Sequence, residues 1–210
     1  MTAPAEEPQP DYIGFGYGEL AYILRSFDTD SSARSAEVLR LQEEARNDAL
    51  CLAGASSLFA HDYATYNDGP EFQFPATPVV YALSSATRWA QIELMSDDES
   101  DTVVHVESDE VSILMQPRTM MSWFVFAQDP QIDGDAAILD VLQSHVRKFP
   151  AGTALLRTFG LDGEKHLLVR RDEDSWTTGV VPHPDADPVE TRDLDADGLL
   201  LKIRETRDVA

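Results

Sequence analysis

Basic residues are scarce in this chain: 16 Lys and Arg stand against 38 Asp and Glu, a formal net charge of −22. Proteins that grip a phosphate backbone draw their affinity from clustered cations, and the adjacent basic pairs here are Arg147-Lys148 and Arg170-Arg171. That scarcity argues against nucleic acid as a partner, and against an anionic membrane surface for the same reason. Cysteine is nearly absent too. Cys51 stands alone and can form no internal disulfide; within Ala49-Leu50-Cys51-Leu52-Ala53 it reads as a small buried hydrophobe with no neighbouring base to activate it. Long apolar runs are missing: no window approaches the ~18 residues a membrane span needs, and the first 30 residues carry no charged-then-apolar signal segment. The expectation is a cytoplasmic protein.

Sequence signatures of chemistry are equally thin. Gly14-Phe15-Gly16-Tyr17-Gly18 places glycines before a helix, where backbone N–H groups can approach an anion. A dinucleotide loop would want Gly where Glu19 stands, and no Gly-Lys-Ser/Thr exists for a phosphate loop. The run is read instead as a flexible N-terminal joint packed by Phe15 and Tyr17. Gly54-Ala55-Ser56-Ser57-Leu58 lacks the second glycine of a nucleophile elbow and sits in a helical pattern. The histidines His61, His105, His145, His166 and His183 are scattered without a short-spaced pair, so spacing points to no metal site and no cofactor is expected. His145 falls on a helical apolar stripe, the place of a core histidine.

The sharpest local motif is Asp193-Leu194-Asp195-Ala196-Asp197-Gly198. Alternating carboxylates around a turn glycine are how a loop wraps calcium, which makes Asp193, Asp195 and Asp197 calcium candidates. The closing bidentate Glu is missing, since Arg204 holds its position and Glu205 is one step out of register. A plain acidic turn is the simpler reading.

Apolar residues are nonetheless plentiful, at 43% with three Trp and nine Phe, so the chain should fold around a real core. Residues 1–11 read as a disordered tail, and 12–210 as a single α+β domain with candidate subdomains 12–150 and 151–210. Helical spacing recurs from Glu19 to Phe27, from Ala33 to Leu52 after a Ser32 cap, onward past Gly54 to a stop at Asn67-Asp68-Gly69-Pro70, and again after Thr77-Pro78. Period-two alternation then takes over from Trp89 through Ala127. Four runs separated by the acidic stretch at Asp97-Asp98-Glu99-Asp101, by Ser108-Asp109-Glu110 and by Pro117-Arg118 predict an antiparallel meander. An amphipathic helix capped by Asp133 or Asp135 carries Ile138, Val141, Leu142, His145, Val146 and Phe149 on one stripe. A second meander follows, with a hairpin at Leu161-Asp162-Gly163-Glu164 and a third strand from Trp176 to Val181, and residues 182–198 read as a charged loop. N-terminal helices, a meander, a helix and a second meander describe an α+β fold with segregated antiparallel sheet.

The segment Ala45 to Val146 also resembles a known family. A helix ending in Leu58-Phe59-Ala60-His61-Asp62-Tyr63-Ala64, an Asp68-Gly69 turn, a helix running into Arg88-Trp89, an antiparallel meander and an amphipathic helix follow one another as in the EspG-type chaperones of actinobacterial type VII secretion. The likeness covers about half the chain and is one of element order. It implies a mixed α/β cytoplasmic protein that holds an exported substrate, and it assigns no functional residue.

Function is therefore expected to be non-enzymatic protein binding, as a secretion chaperone or adaptor or as an immunity-type inhibitor, with an acidic surface steering a basic or secreted partner. Met120-Met121-Ser122-Trp123-Phe124-Val125-Phe126 is apolar on both strand faces. Trp123, Phe124 and Phe126 are thus the candidate partner-binding residues. The rival is an enzyme or small-molecule binder whose site is assembled only by folding, for which His105 and His166 on strand-like runs would be the first candidates.

Overall fold

A computed structural model describes residues 12–97, 99–181 and 187–208. The expected tail at 1–11, Asp98 and His183 lie outside the described residues. Along the chain, strand β1 (Ile13–Gly16) runs into helices α1 (Tyr17–Arg25), α2 (Asp30–Val38), α3 (Gln42–Arg46) and α4 (Asp48–Ala60). A small hairpin of β2 (Ala64–Tyr66) and β3 (Pro70–Phe72) leads to α5 (Ala76–Ser85). The first meander is β4 (Arg88–Met95), β5 (Ser100–Glu107), β6 (Ser112–Arg118) and β7 (Ser122–Ala127), and α6 (Gly134–Lys148) follows it. The second is β8 (Thr153–Phe159), β9 (Glu164–Asp172), β10 (Ser175–Val181) and β11 (Val189–Leu194), closed by α7 (Ala196–Arg207). The fold is α+β, with its strands antiparallel.

The two meanders form one sheet. Among the described residues nine strands pair in the order β1-β7-β6-β5-β4-β8-β9-β10-β11. The join is β4 against β8, in register from Trp89↔Phe159 to Met95↔Thr153. Because side chains alternate along a strand, β4 serves two cores at once. Trp89 is buried with residues of α1, α2, α4 and α5, while Ala90, Ile92 and Leu94 are buried with Ile138, Leu142 and Val146 of α6 and Leu199 and Ile203 of α7. The N-terminal helices thus cover one face over β1, β7, β6, β5 and β4. Helices α6 and α7 cover the opposite face over β5, β4, β8, β9 and β10.

Buried polar links hold the N-terminal helices to the sheet. The Trp89 indole donates to Ser35 Oγ at 3.0 Å, and the Ser35 hydroxyl donates to the Leu83 carbonyl at 2.7 Å. Arg34 reaches the far meander, donating to the carbonyls of Gly160 and Gly163 at 3.1 and 3.2 Å.

Several local expectations change. The continuous helix expected over Ala33 to Leu52 is three helices, because Arg40 adopts a left-handed φ of 57° that turns the chain and buries Leu39 and Leu41 on either side of it. Asn47 restarts the helix by accepting from Leu50 N at 3.1 Å. Thr29, rather than Ser32, caps α2, and the Ser32 hydroxyl donates to the Leu24 carbonyl instead. The glycine run is not a loose joint: β1 pairs with β7 from Ile13↔Val125 to Gly16↔Ser122. Asn67 to Pro70 is the turn of a hairpin. The charged stretch read as a loop up to Gly198 contains β11 and the start of α7. No described helix is long and apolar enough to cross a membrane.

One close approach fixes the N-terminal helices. A Cβ at Gly54 would fall inside the contact distance of the Gly18 carbonyl, so α1 and α4 cross backbone to backbone. On helix propensity alone, Gly54→Ala would stabilise by ~1 kcal/mol. Here it is expected to destabilise by about 1–3 kcal/mol or more through overpacking, read as a lower urea midpoint. An unchanged or raised midpoint would contradict the crossing.

Candidate functional site

The opposed helix layers leave part of each sheet face uncovered. On the face that carries α6, that helix stands over β4 and β5, Leu114 of β6 packs at the margin of its core, and β7 and β1 lie beyond it. Strand alternation sends Phe124 and Phe126 of β7 and Leu114 of β6 to this open side, and Tyr12, just before β1, joins them. Tyr12 stacks on Phe124 with centroids 4.1 Å apart and leans on Phe126 at 5.8 Å. The Arg118 guanidinium caps the Phe124 ring at 5.5 Å.

Where this aromatic row meets α6 there is a groove of about 550 Å³. Val103, Leu114 and Phe126 line the sheet side, Ala137 and Val141 the helix side, and Ile132 the connecting loop. Carboxylates mark its margins: Glu99 and Asp101 from the β4–β5 side, Asp129 from the loop and Asp140 from α6. Lys148 pairs with Glu99 at 3.2 Å and Arg118 approaches Asp101 at 3.6 Å, while Asp129 and Asp140 have no cationic partner among the described residues.

At the end of the aromatic row the β6–β7 turn is unusual. Met120 and Met121 both hold left-handed φ values, 61° and 55°, and are 94% and 57% exposed. The loop is three residues, Thr119 to Met121, between the paired Arg118 and Ser122, and hairpin positions at positive φ are ordinarily held by Asn or Gly, which take that conformation at little cost. Two exposed methionines in that conformation break the local rule and place adaptable apolar side chains at the tip of the open surface.

Beneath the groove, polar residues hold the loop in place. His105 is fully buried, and its Nε2 lies 2.7 Å from Gln128 Oε1. Gln128 Nε2 donates to the Ile132 carbonyl at 2.6 Å. A carbonyl can only accept, which fixes the Gln128 amide and in turn makes His105 Nε2 the protonated nitrogen. Burial, with the Arg207 charge nearby as a second cause, pushes the His105 pKa down from 6.5 to about 4. Arg207, at the end of α7, is buried and bridges Asp135 of α6 and Glu107 of β5. Arg204 adds a bond to Asp135 at 3.0 Å. A side chain at Gly134 would collide with this ion cluster.

The expected site residues are divided among these places. Trp123 is 4% exposed and packs in the core under the N-terminal helices, while Phe124 and Phe126 are half-buried on the open face. His105 and His166 do not share a site, since they belong to opposite faces of the sheet, on β5 and β9. His145 Nε2 lies 3.0 Å from the Met95 carbonyl oxygen and, since a carbonyl only accepts, donates to it. Asp195 caps α7 by accepting from Gly198 N at 2.8 Å, Asp193 holds a left-handed φ of 57° at the end of β11, and Asp197 lies in the first helical turn. Among the described residues no group of three or more His, Cys, Asp or Glu is disposed to hold a metal ion. The groove beside α6, the Tyr12 stack and the Met120-Met121 tip were missed by sequence reasoning. The apolar stripe of α6 and the two-faced β7 run were the signals that could have located the groove.

No family model matches the chain, and no curated protein matches it. Among solved structures it is similar to the Mycobacterium tuberculosis type VII secretion system chaperone EspG5, determined in complex with a PE25-PPE41 dimer. The TM-score is 0.54 at 9% identity, covering 94% of this chain and 96% of that one. The resemblance drawn from element order over half the chain thus extends, at the level of fold, across nearly all of it.

The buried histidine makes a measurable claim. With its folded pKa below its unfolded value, the unfolded chain binds the extra proton, so this residue's contribution is complete above about pH 6.5 and is lost as pH falls toward 4. Between pH 7.5 and 5 the parent protein is expected to lose about 2 kcal/mol more unfolding free energy than His105→Gln, measured by urea titration. Parallel pH profiles for the two proteins would contradict the assignment.

Proposed function

We propose that this protein is a non-enzymatic protein-binding protein of the chaperone or adaptor kind, which engages its partner on the open face of Phe124, Phe126, Tyr12 and the adjoining groove. The observation that carries the reading is the uncovered apolar surface itself. Half-exposed aromatic rings, exposed methionines and an arginine stacked on a ring are the composition of interface centres rather than of ordinary solvated surface. The likeness in fold to a chaperone solved with a bound protein dimer supports the same class of function. Trp123 drops out as an anchor because it is a core residue, and the role passes to Phe124 and Phe126.

The finer reading is a partner that is basic or destined for secretion, met in the cytoplasm. A net charge of −22 would speed the encounter with a cationic protein and select against acidic ones. Final adhesion would come from the apolar face, so the complex should form faster at low salt while depending on the aromatic side chains for its lifetime.

Tagged protein purified from its own host at low ionic strength is expected to carry a stoichiometric partner, identifiable by mass spectrometry and reconstituted from purified components. Phe124→Glu with Phe126→Glu should weaken that complex more than tenfold. A gentler variant, Met120→Asn with Met121→Gly, relieves the left-handed strain and is expected to raise the melting temperature while weakening binding. A partner held equally well by both variants would overturn the assignment of this face.

A further inference from the structure

We infer that the groove between α6 and the open strands takes one amphipathic helix of the partner, apolar on the side it buries and basic at its margins. This rests on the reading that the face binds protein, and adds the shape and charge of what binds.

The shape follows from where the groove lies. It is formed on the face of the sheet, against Leu114 and Phe126, and not along an edge, so an extended segment laid there could not pair its backbone with a strand. Its N–H and C=O groups would be desolvated without partners, a cost of about 1–3 kcal/mol for each buried group. A helix satisfies its own backbone. It would lie beside α6 as a second member of that layer, roughly 8–10 Å away, and cover β6 and β7 as α6 covers β4 and β5. Val141 and Ala137 on one wall and Phe126 and Leu114 on the floor accept residues at i, i+3, i+4 and i+7.

The charge follows from the rim. Four carboxylates border the groove, and among the described residues the nearby cations Lys148 and Arg118 are engaged by Glu99 and Asp101. Asp129 and Asp140 remain for the partner, and both are exposed. Lysines or arginines flanking an apolar stripe would meet them, whereas an acidic helix would meet like charge at every margin.

The probes are three labelled synthetic peptides of roughly 18 residues: one with a leucine stripe and lysine margins, the same with glutamates for the lysines, and the lysine form broken by two central prolines. Binding to the intact protein is followed by fluorescence anisotropy at low salt. The lysine peptide should bind at least tenfold tighter than the other two, and gain helical circular dichroism on binding. Asp129→Lys with Asp140→Lys should abolish or invert the charge preference, whereas reversal of two exposed carboxylates of the N-terminal layer, Glu43→Lys with Glu71→Lys, should leave it intact. Val141→Gln with Phe126→Gln should weaken both unbroken peptides. Equal binding of the proline-broken peptide would overturn the helix, and equal effects of the two charge reversals would overturn the rim. Either result, with dependence on Phe126 retained, leaves the partner-binding face standing. No binding of any peptide would overturn the helical groove, while the co-purification variants judge the face separately.

Discussion

The alternation of side chains along β4 and β5 sets the terms for the rest of the molecule. Trp89, Val104 and Val106 demand cover on one face, and Ala90, Ile92, Leu94 and Val103 demand it on the other. A large apolar side chain fully withdrawn from water contributes about 1.5–3 kcal/mol, so both faces of the central strands must be covered for the sheet to persist. The chain meets this with helices placed before the sheet on one face and after its first meander on the other. Each layer is too narrow to span nine strands. What is left over is an open half-face at each end, and at the β1–β7–β6 end that half-face is aromatic.

A buried ion cluster locates the second layer. Arg207 ties the last turn of α7 to the first turn of α6 and to the end of β5. Losing one member would strand an uncompensated charge, typically a cost of about 3–5 kcal/mol. Because Asp135 sits at the N-terminal turn of α6, this cluster also sets where that helix stands beside the open strands. His105, Gln128 and the Ile132 carbonyl hold the connecting loop against the same point. Structure and proposed function meet here: the wall of the groove is placed by buried polar chemistry, and its floor by the strand period.

Much of this was legible in the sequence because it is local. Period-two runs marked β4 to β7, the stripe from Ile138 to Val146 marked α6, and Asp162-Gly163 marked the β8–β9 hairpin. The pairing of β4 with β8 was not legible, since nothing local says that Trp89 lies opposite Phe159. Strand β11 was hidden because Val189 to Leu194 is an edge with little buried, so no alternation was imposed on it. Arg40 gave no warning of its left-handed turn, a conformation ordinarily left to Gly or Asn. For the site, the apolar character of both faces of β7 could be read, but which face stays open depends on helices distant in sequence. Of the three candidates Trp123, Phe124 and Phe126, Trp123 therefore lies in the core while the two phenylalanines lie on the open side. The acidic motif at Asp193 to Gly198 was visible as a pattern, and Asp195 within it caps a helix.

The central claim is that the partner is held on the aromatic open face. It is tested most directly by placing a photo-crosslinking amino acid at position 126, or in a separate protein at Leu52, which is 70% exposed on α4, and irradiating the host cells. The account predicts one discrete crosslinked species from position 126 and none from position 52. Crosslinking from position 52 with none from 126 would place the partner on the N-terminal helices and contradict it.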